Sequence, residues 1–345
     1  MTQNWFASSI VEERRLCRGG RLVTELARFD RGWARTRIRG GSVEIDASDT
    51  QFTRGMPPLV AELLAAPEPS APAIDLDVDL HAGWRFHAIS RRRVVAHRGA
   101  EADASLVELI VTTAPAHDHA HVSIVSTPES LHADLRWLAR TLAQPPAKEA
   151  RTDALPIAWA GGSAAVLLHE ALGHPSERAA PRVKWPKWLE VADDPALAAI
   201  GRLTADDCGR PVSRRDLTRG EGPSALRRWS FRDTPITRMS NLSVEASGAS
   251  TPLPSSRVEV RLVEHGYWDP LTDEVAIRVS LAELVEGNDR ALLPRFTVRG
   301  SRSELAARLE GWFGDPTRYP GVICSDEGQS LPVGSIATGL VARPR

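Results

Sequence analysis

The chain changes its hydrophobic period several times. Trp33-Ala34-Arg35-Thr36-Arg37-Ile38-Arg39 alternates, pauses at Gly40-Gly41 and resumes at Ser42-Val43-Glu44-Ile45-Asp46, which predicts a β-hairpin. The rest of the first 60 residues mixes this alternation with short arginine-rich segments. Residues 56–66 predict a short helix opening on Pro57-Pro58, where the missing N–H would be unsatisfied anyway. Residues 66–72, with three prolines, form a loop by composition. From 84 to 126 the alternation returns. Trp84, Phe86 and Ala88 share one face, and residues 106–111 and 122–125 follow as apolar runs, so short strands with polar turns predict an antiparallel sheet. Ser126-Thr127-Pro128-Glu129 starts a helix carrying Leu131, Leu135, Leu138, Ala139 and Leu142 at helical spacing, and Gln144-Pro145-Pro146-Ala147 ends it.

That proline pair marks a predicted domain boundary, with residues 1–150 on one side and 151–345 on the other. Beyond it, Leu155-Pro156-Ile157-Ala158-Trp159-Ala160 predicts a strand, Gly161-Gly162 a turn, and Ser163 the cap of a helix. After residue 210 helical periodicity is weak. Strand-like segments recur at 257–263, 274–280 and 296–298, with a brief helix at 305–309. The fold class is therefore α+β: an N-terminal α/β region with an antiparallel sheet, then a β-rich C-terminal domain that carries one functional helix.

Composition narrows the picture only a little. With 43 basic and 44 acidic residues the net charge is −1, so no polyanion-binding surface is indicated and no nucleic-acid partner is expected. Only Lys148, Lys184 and Lys187 are lysines, an arginine preference better ascribed to coding bias than to nucleic-acid binding. Cys17, Cys208 and Cys324 are too few and too scattered for a disulfide framework; each is open to reading as buried hydrophobe, nucleophile or metal ligand. The N-terminal stretch lacks an apolar targeting core and no segment reaches membrane-spanning length, so the expectation is a cytoplasmic protein without a membrane partner.

The chemistry concentrates in His169-Glu170-Ala171-Leu172-Gly173-His174, just after the apolar run of the predicted helix. Two imidazoles and a carboxylate are the equipment to hold a metal ion and to take a proton from water. The histidines stand five positions apart, which on an ideal α-helix separates them by about 140°. Two ligands of one ion cannot diverge that far, so the helix must deform or end between them, and Gly173 and Pro175 are the residues that allow it. Zinc in hydrolases usually takes three protein ligands plus water, so a third ligand must come from elsewhere.

The segment from Leu168 to Glu177, LHEALGHPSE, resembles the HEAxGHxxE signature of the TldD/PmbA family of zinc metallopeptidases. Pro235-Ile236-Thr237-Arg238-Met239-Ser240-Asn241 is similar to that family's P-x-x-R-M-[ST]-N stretch, and Cys324-Ser325-Asp326-Glu327-Gly328-Gln329-Ser330-Leu331-Pro332-Val333-Gly334 to its C-terminal segment. The resemblance covers the chain from about 155 to the end. It implies Zn2+ held by His169, His174 and Cys324, with Glu170 as general base toward metal-activated water. Glu177, three positions past His174, is open to reading as the partner that orients a ligand imidazole or as a solvent-facing or salt-bridging residue; the family pattern implies a place near the cleft for Arg238 and Asn241, with a structural role tying strands equally open. His265 and Tyr267 are candidates for an additional oxyanion donor.

The implied activity is hydrolysis of short unstructured or modified peptides. The alternatives are amide hydrolysis of a small biosynthetic intermediate, or a non-catalytic subunit of such a complex. The implied assembly is a dimer, either with a related subunit lacking the metal motif or with a second copy. The chain departs from the family in a shortened N-terminal region and in lacking an acidic residue soon after Glu177. Glu264-His265-Gly266-Tyr267-Trp268 also stands where a glycine-rich segment is expected. Two features compete for attention. His117, His119 and His121 alternate, but beside Pro115 they read as an exposed turn; Trp185 and Trp188 suit either a substrate cleft or the packing of a loop.

Overall fold

A computed structural model describes residues 2–18, 21–39, 42–49, 56–67, 85–97, 100–112, 123–126, 128–142, 154–326 and 328–344. The first sheet has six antiparallel strands: β1 (Thr2–Arg18), β2 (Arg21–Arg39), β3 (Ser42–Ser48), β4 (Arg85–His97), β5 (Ala100–Thr112) and β6 (Ser123–Ser126), in the order β3-β2-β1-β4-β5-β6. Two helices accompany it, α1 (Pro58–Ala65) and α2 (Pro128–Leu142). The predicted hairpin is β2–β3, but β2 begins twelve positions earlier than expected and pairs along its length with β1. Asn4 to Val11 of β1 are all buried, so both faces of that strand are covered and no alternation marks it. The alternating histidines 117–121, Trp84 and the proline pair at 145–146 lie outside the described residues.

The second sheet has ten strands. Its members are β7 (Ile157–Trp159), β8 (Leu189–Asp193), β9 (Arg215–Asp216), β12 (Asn241–Ala246), β13 (Ser256–Trp268), β14 (Glu274–Glu286), β15 (Asp289–Leu292), β16 (Phe296–Ser301), β17 (Leu309–Asp326) and β18 (Gln329–Ala342). β10 (Leu226–Arg227) and β11 (Ile236–Thr237) form a separate pair. The path runs β15-β14-β13-β7-β18-β12-β8-β9, with β16 on β14 and β17 on β18. The β13–β7 and β12–β18 pairings are parallel and the others antiparallel. The expected strands at 257–263, 274–280 and 296–298 are the centres of β13, β14 and β16. The brief C-terminal helix is α5 (Arg302–Arg308), closed by a Ser301–Glu304 capping box.

One helical stretch crosses the second sheet: α3 (Ala164–Leu168), a π-helical turn (His169–Gly173) and α4 (His174–Glu177). Every side chain of α3 is buried, as expected for a helix laid on the sheet core. Gly161 and Gly162, with φ of 58° and 82°, turn the chain from β7 into it. Ser163 stands at the N-cap but does not cap; its hydroxyl donates instead to the Val260 carbonyl at 3.0 Å, pinning the turn to β13.

The two sheets share one apolar cluster. Cys17, Phe86, Ile124, Leu135 and Leu138 of the first part pack with Trp159, Val166 and Tyr319 of the second. A second junction is polar. The Arg93 guanidinium pairs with Asp207, Arg91 Nη2 donates to the Arg228 carbonyl at 2.7 Å, and Phe231 packs with Phe6, Ala34 and Val95.

Candidate metal centre

The π turn resolves the five-residue spacing. The His174 N–H donates to the His169 carbonyl, a bond spanning five residues rather than four. A π turn holds about 4.4 residues, so two side chains five apart diverge by roughly 50° instead of about 140°. The helix widens rather than breaks. Pro175 contributes because its ring would strike the carbonyl four residues back in a regular α-helix, and widening relieves that clash. Gly173 acts differently from expectation. Its backbone is helical, with φ and ψ both −64°, and what matters is the missing side chain: a Cβ there would lie 2.2 Å from Met239 Sδ.

The widened turn points His169 and His174 at Cys324. Cys324 Sγ is 3.1 Å from His169 Nε2 and 3.3 Å from His174 Nε2, and the two rings meet edge to face at 79° with centroids 4.7 Å apart. Cys324 sits near the tip of the β17–β18 hairpin, opposite Leu331, where Gly328 (φ 78°) closes the turn. Gln329 and Arg227 anchor that hairpin. Gln329 Nε2 donates to the Thr234 carbonyl at 2.6 Å, while buried Arg227 bridges the carbonyls of Met239 and Pro332. The three sequence motifs therefore converge on one point.

Around the three donors lies a charged brace. Glu177 Oε2 is 2.7 Å from His174 Nδ1, which fixes the proton on Nδ1 and frees Nε2 as a donor. Glu177 Oε1 accepts the Met239 N–H at 2.7 Å and stands 3.5 Å from Arg238 Nε. Arg238, 2% exposed, donates from Nη2 to Cys324 Sγ at 2.7 Å and to the Cys324 carbonyl at 3.1 Å. Asp326, held by Arg178 at 2.9 Å, reaches within 3.9 Å of His174 Nδ1; it lies inside the C-terminal motif but was not singled out from the sequence. Among the described residues His169 has no such orienting partner: its Nδ1 is buried without a hydrogen bond.

Protonation follows from this packing. Burial, reinforced by the charges of His174 and Arg238, drives the His169 pKa well below the usual imidazole value. Burial also opposes charge on His174, but hydrogen bonds to Cys324 and Glu177 outweigh it and hold the ring up to about 11. Burial pushes Glu170 up to about 7, with His174 pulling against the push and the charges of Glu177 and Asp326 adding to it. Glu170 Oε2 lies 3.7 Å from His174 Nε2. A group of two imidazoles and one sulfur, with ligand atoms all within 4.8 Å of one another, can hold a metal ion.

The remaining candidates stand apart. Asn241 is fully buried at the start of β12, its Oδ1 accepting from the N–H groups of Gly201 (2.8 Å) and Gly334 (3.1 Å), so it ties the turn at Gly201 to β18. His265 and Tyr267 lie on the exposed face of β13, and the Tyr267 hydroxyl is engaged by Arg299 and Glu274. Trp185 and Trp188 line a cavity of about 430 Å³ with Asp216 and Arg219, and Trp185 also borders one of about 390 Å³ together with Leu172, Pro175 and Ser176 of the ligand-bearing helix. Gly266, between His265 and Tyr267, is the residue of that segment which touches the site: a Cβ on it would lie 2.4 Å from Glu170 Cγ.

Comparison with known proteins adds the fold. No protein-family model matches the chain, and no curated protein matches it. The crystal structure of TldE from Thermococcus kodakarensis aligns with a TM-score of 0.64 at 12% identity, over 99% of this chain and 95% of that one. The chain has the TldE fold. Two crystal structures described as candidate modulators of DNA gyrase share it. The one from Bacteroides thetaiotaomicron has a TM-score of 0.58 at 12% identity over 99% and 93% of the two chains. The one from Thermotoga maritima has 0.58 at 10% identity over 99% and 95%. The TldE fold is thus the one that the TldD/PmbA resemblance implied. The alignments span nearly all of these chains.

Proposed function

We propose that the protein is a zinc-dependent peptidase of the TldD/PmbA type, hydrolysing short unstructured or modified peptides. The observation that carries this reading is Glu170, a buried carboxylate with a pKa of about 7 placed 3.7 Å from a ligand nitrogen. A base poised there takes a proton from water near neutral pH and returns it to the departing amine. His169 Nε2, His174 Nε2 and Cys324 Sγ would hold the ion, a donor set that suits zinc and leaves a coordination position open. When bound, zinc supplies Lewis acidity and acidifies water. Arg238 holds the sulfur in place by a hydrogen bond, and Glu177 keeps His174 in the ligating tautomer.

A peptide substrate is supported by β13. Beyond Val260 this strand has β14 on one side and no strand on the other among the described residues. The Asp269 N–H donates to the Glu274 carbonyl, so the antiparallel alternation turns the N–H and C=O groups of Gly266 and Trp268 away from β14. An extended main chain pairing with that free edge would pass beside Glu170. A compact amide would leave the edge unused, which favours the peptide over the small-molecule alternative. Assembly as a dimer, with a related chain or a second copy, and a cytoplasmic location belong to the same proposal. No helix of the described residues is long and apolar enough to cross a membrane.

Glu170→Gln tests the reading. With a peptide library and small acyl-amino acids as substrates, wild-type protein should cleave peptides. The variant should keep its zinc and lose about 10²–10⁴-fold in kcat. Undiminished cleavage by the variant would remove Glu170 from the chemistry, and preference for the acyl-amino acids would replace peptides with small amides.

A further inference from the structure

We infer that Gly266 is a positioning residue for Glu170: the bare backbone of β13 is the surface that holds the carboxylate beside the metal-ligating group. The inference rests on Glu170 acting as the base, and its geometry is independent of that role. Gly266 pairs with Ile277 across the β13–β14 ladder. An added Cβ would stand 2.4 Å from Glu170 Cγ, 2.9 Å from Glu170 Cδ and 2.9 Å from Ile277 Cδ1.

The closest contact is with the stem of the glutamate, and the carboxylate carbon is the next. Cγ moves only by rotation about χ1, which sweeps the carboxylate away from the His174 ring. The Ile277 methyl is a flexible end and would yield. The glutamate would have to be displaced.

The residues on either side of Gly266 do not share this duty. Glu264 is exposed and paired with Arg295 at 3.2 Å. His265 and Tyr267 project to the exposed face, as alternation along a strand requires. Gly266 is absent from the glycines with positive φ, so an L-residue fits its backbone without strain. A methyl group at 266 therefore acts through the side-chain collision and not through the main chain. Of the glycine-rich segment expected at this point, the glycine at 266 is the one this chain has.

The test is a double-mutant cycle of Gly266→Ala and Glu170→Ala, read by zinc content, melting temperature and steady-state kinetics. Gly266→Ala should retain zinc and lose at least about tenfold in kcat, with KM within about twofold, because base geometry and not substrate binding is disturbed. It should lower the melting temperature in the wild-type background and much less with Glu170→Ala, which vacates the space. A single variant that fails to fold while the double variant folds gives the same support. Equal destabilisation in both backgrounds, failure to fold in both, or full kcat in Gly266→Ala would overturn the inference. Wild-type protein that cleaves nothing would remove the proposed function, and the melting cycle would still decide whether Gly266 positions Glu170.

Discussion

The proton on His174 is the most informative single charge at this site. Against the cost of burial, Cys324 and Glu177 hold the imidazole up to about 11, so in the metal-free chain the ring is cationic at neutral pH. A nitrogen that ligates must be free of its proton. Zinc loading near pH 7.5 should therefore release protons, and apparent affinity should rise with pH, because the competing proton is lost only as the pH climbs toward about 11. Calorimetric titration in buffers of different ionisation enthalpy measures the release; a buffer-independent enthalpy would contradict it. At this scale the sequence was readable wherever the chemistry is local. His169, Glu170, His174 and Glu177 sit within nine consecutive positions, and Cys324 followed from its own motif. Gly266 was not readable, because its importance lies in a contact with a side chain almost a hundred positions away.

At the scale of elements, the widened helix is the device that makes a five-residue histidine spacing serviceable. It is held by packing. Met239 fills the space that a side chain at Gly173 would occupy, and its own N–H is gripped by Glu177. Gly173→Ala should displace the thioether, loosen that grip and cost about 1–3 kcal/mol, measured by denaturant unfolding. A change below about 0.5 kcal/mol, the size of an ordinary surface substitution, would show that the helix does not depend on this contact. Deformation was predictable from the spacing, but its form was not, since nothing in six residues distinguishes a π turn from a helix end. The strands were read unevenly for a related reason. β14 and β16 are legible because the apolar run Val275-Ala276-Ile277 marks one and the alternation Phe296-Thr297-Val298 the other. Nearly all of β18 is buried, and β17 slips register three times against it, so neither shows a period of two.

On the scale of the whole molecule, the two sheets are joined by an apolar cluster and by a buried ion pair, and the second is the more exposed to mutation. The Arg93 side chain is 6% exposed and its partner Asp207, 1% exposed, also accepts the Arg228 N–H at 2.7 Å. Asp207→Ala would strand a buried guanidinium and a backbone donor together. It should destabilise the protein by roughly 3–5 kcal/mol in thermal or denaturant unfolding, and a loss under about 1 kcal/mol would mean that water reaches the junction. The metal-ligating group has the same long-range character: it is assembled from a helix after β7 and a hairpin 150 positions further on, so it exists only when the second sheet is complete. Its zinc content is therefore the most direct test of the account. Purified wild-type protein should carry about one zinc per chain, and Cys324→Ala, folded, should carry essentially none. Wild-type protein without stoichiometric metal, or a Cys324→Ala variant that keeps it, would contradict the assignment.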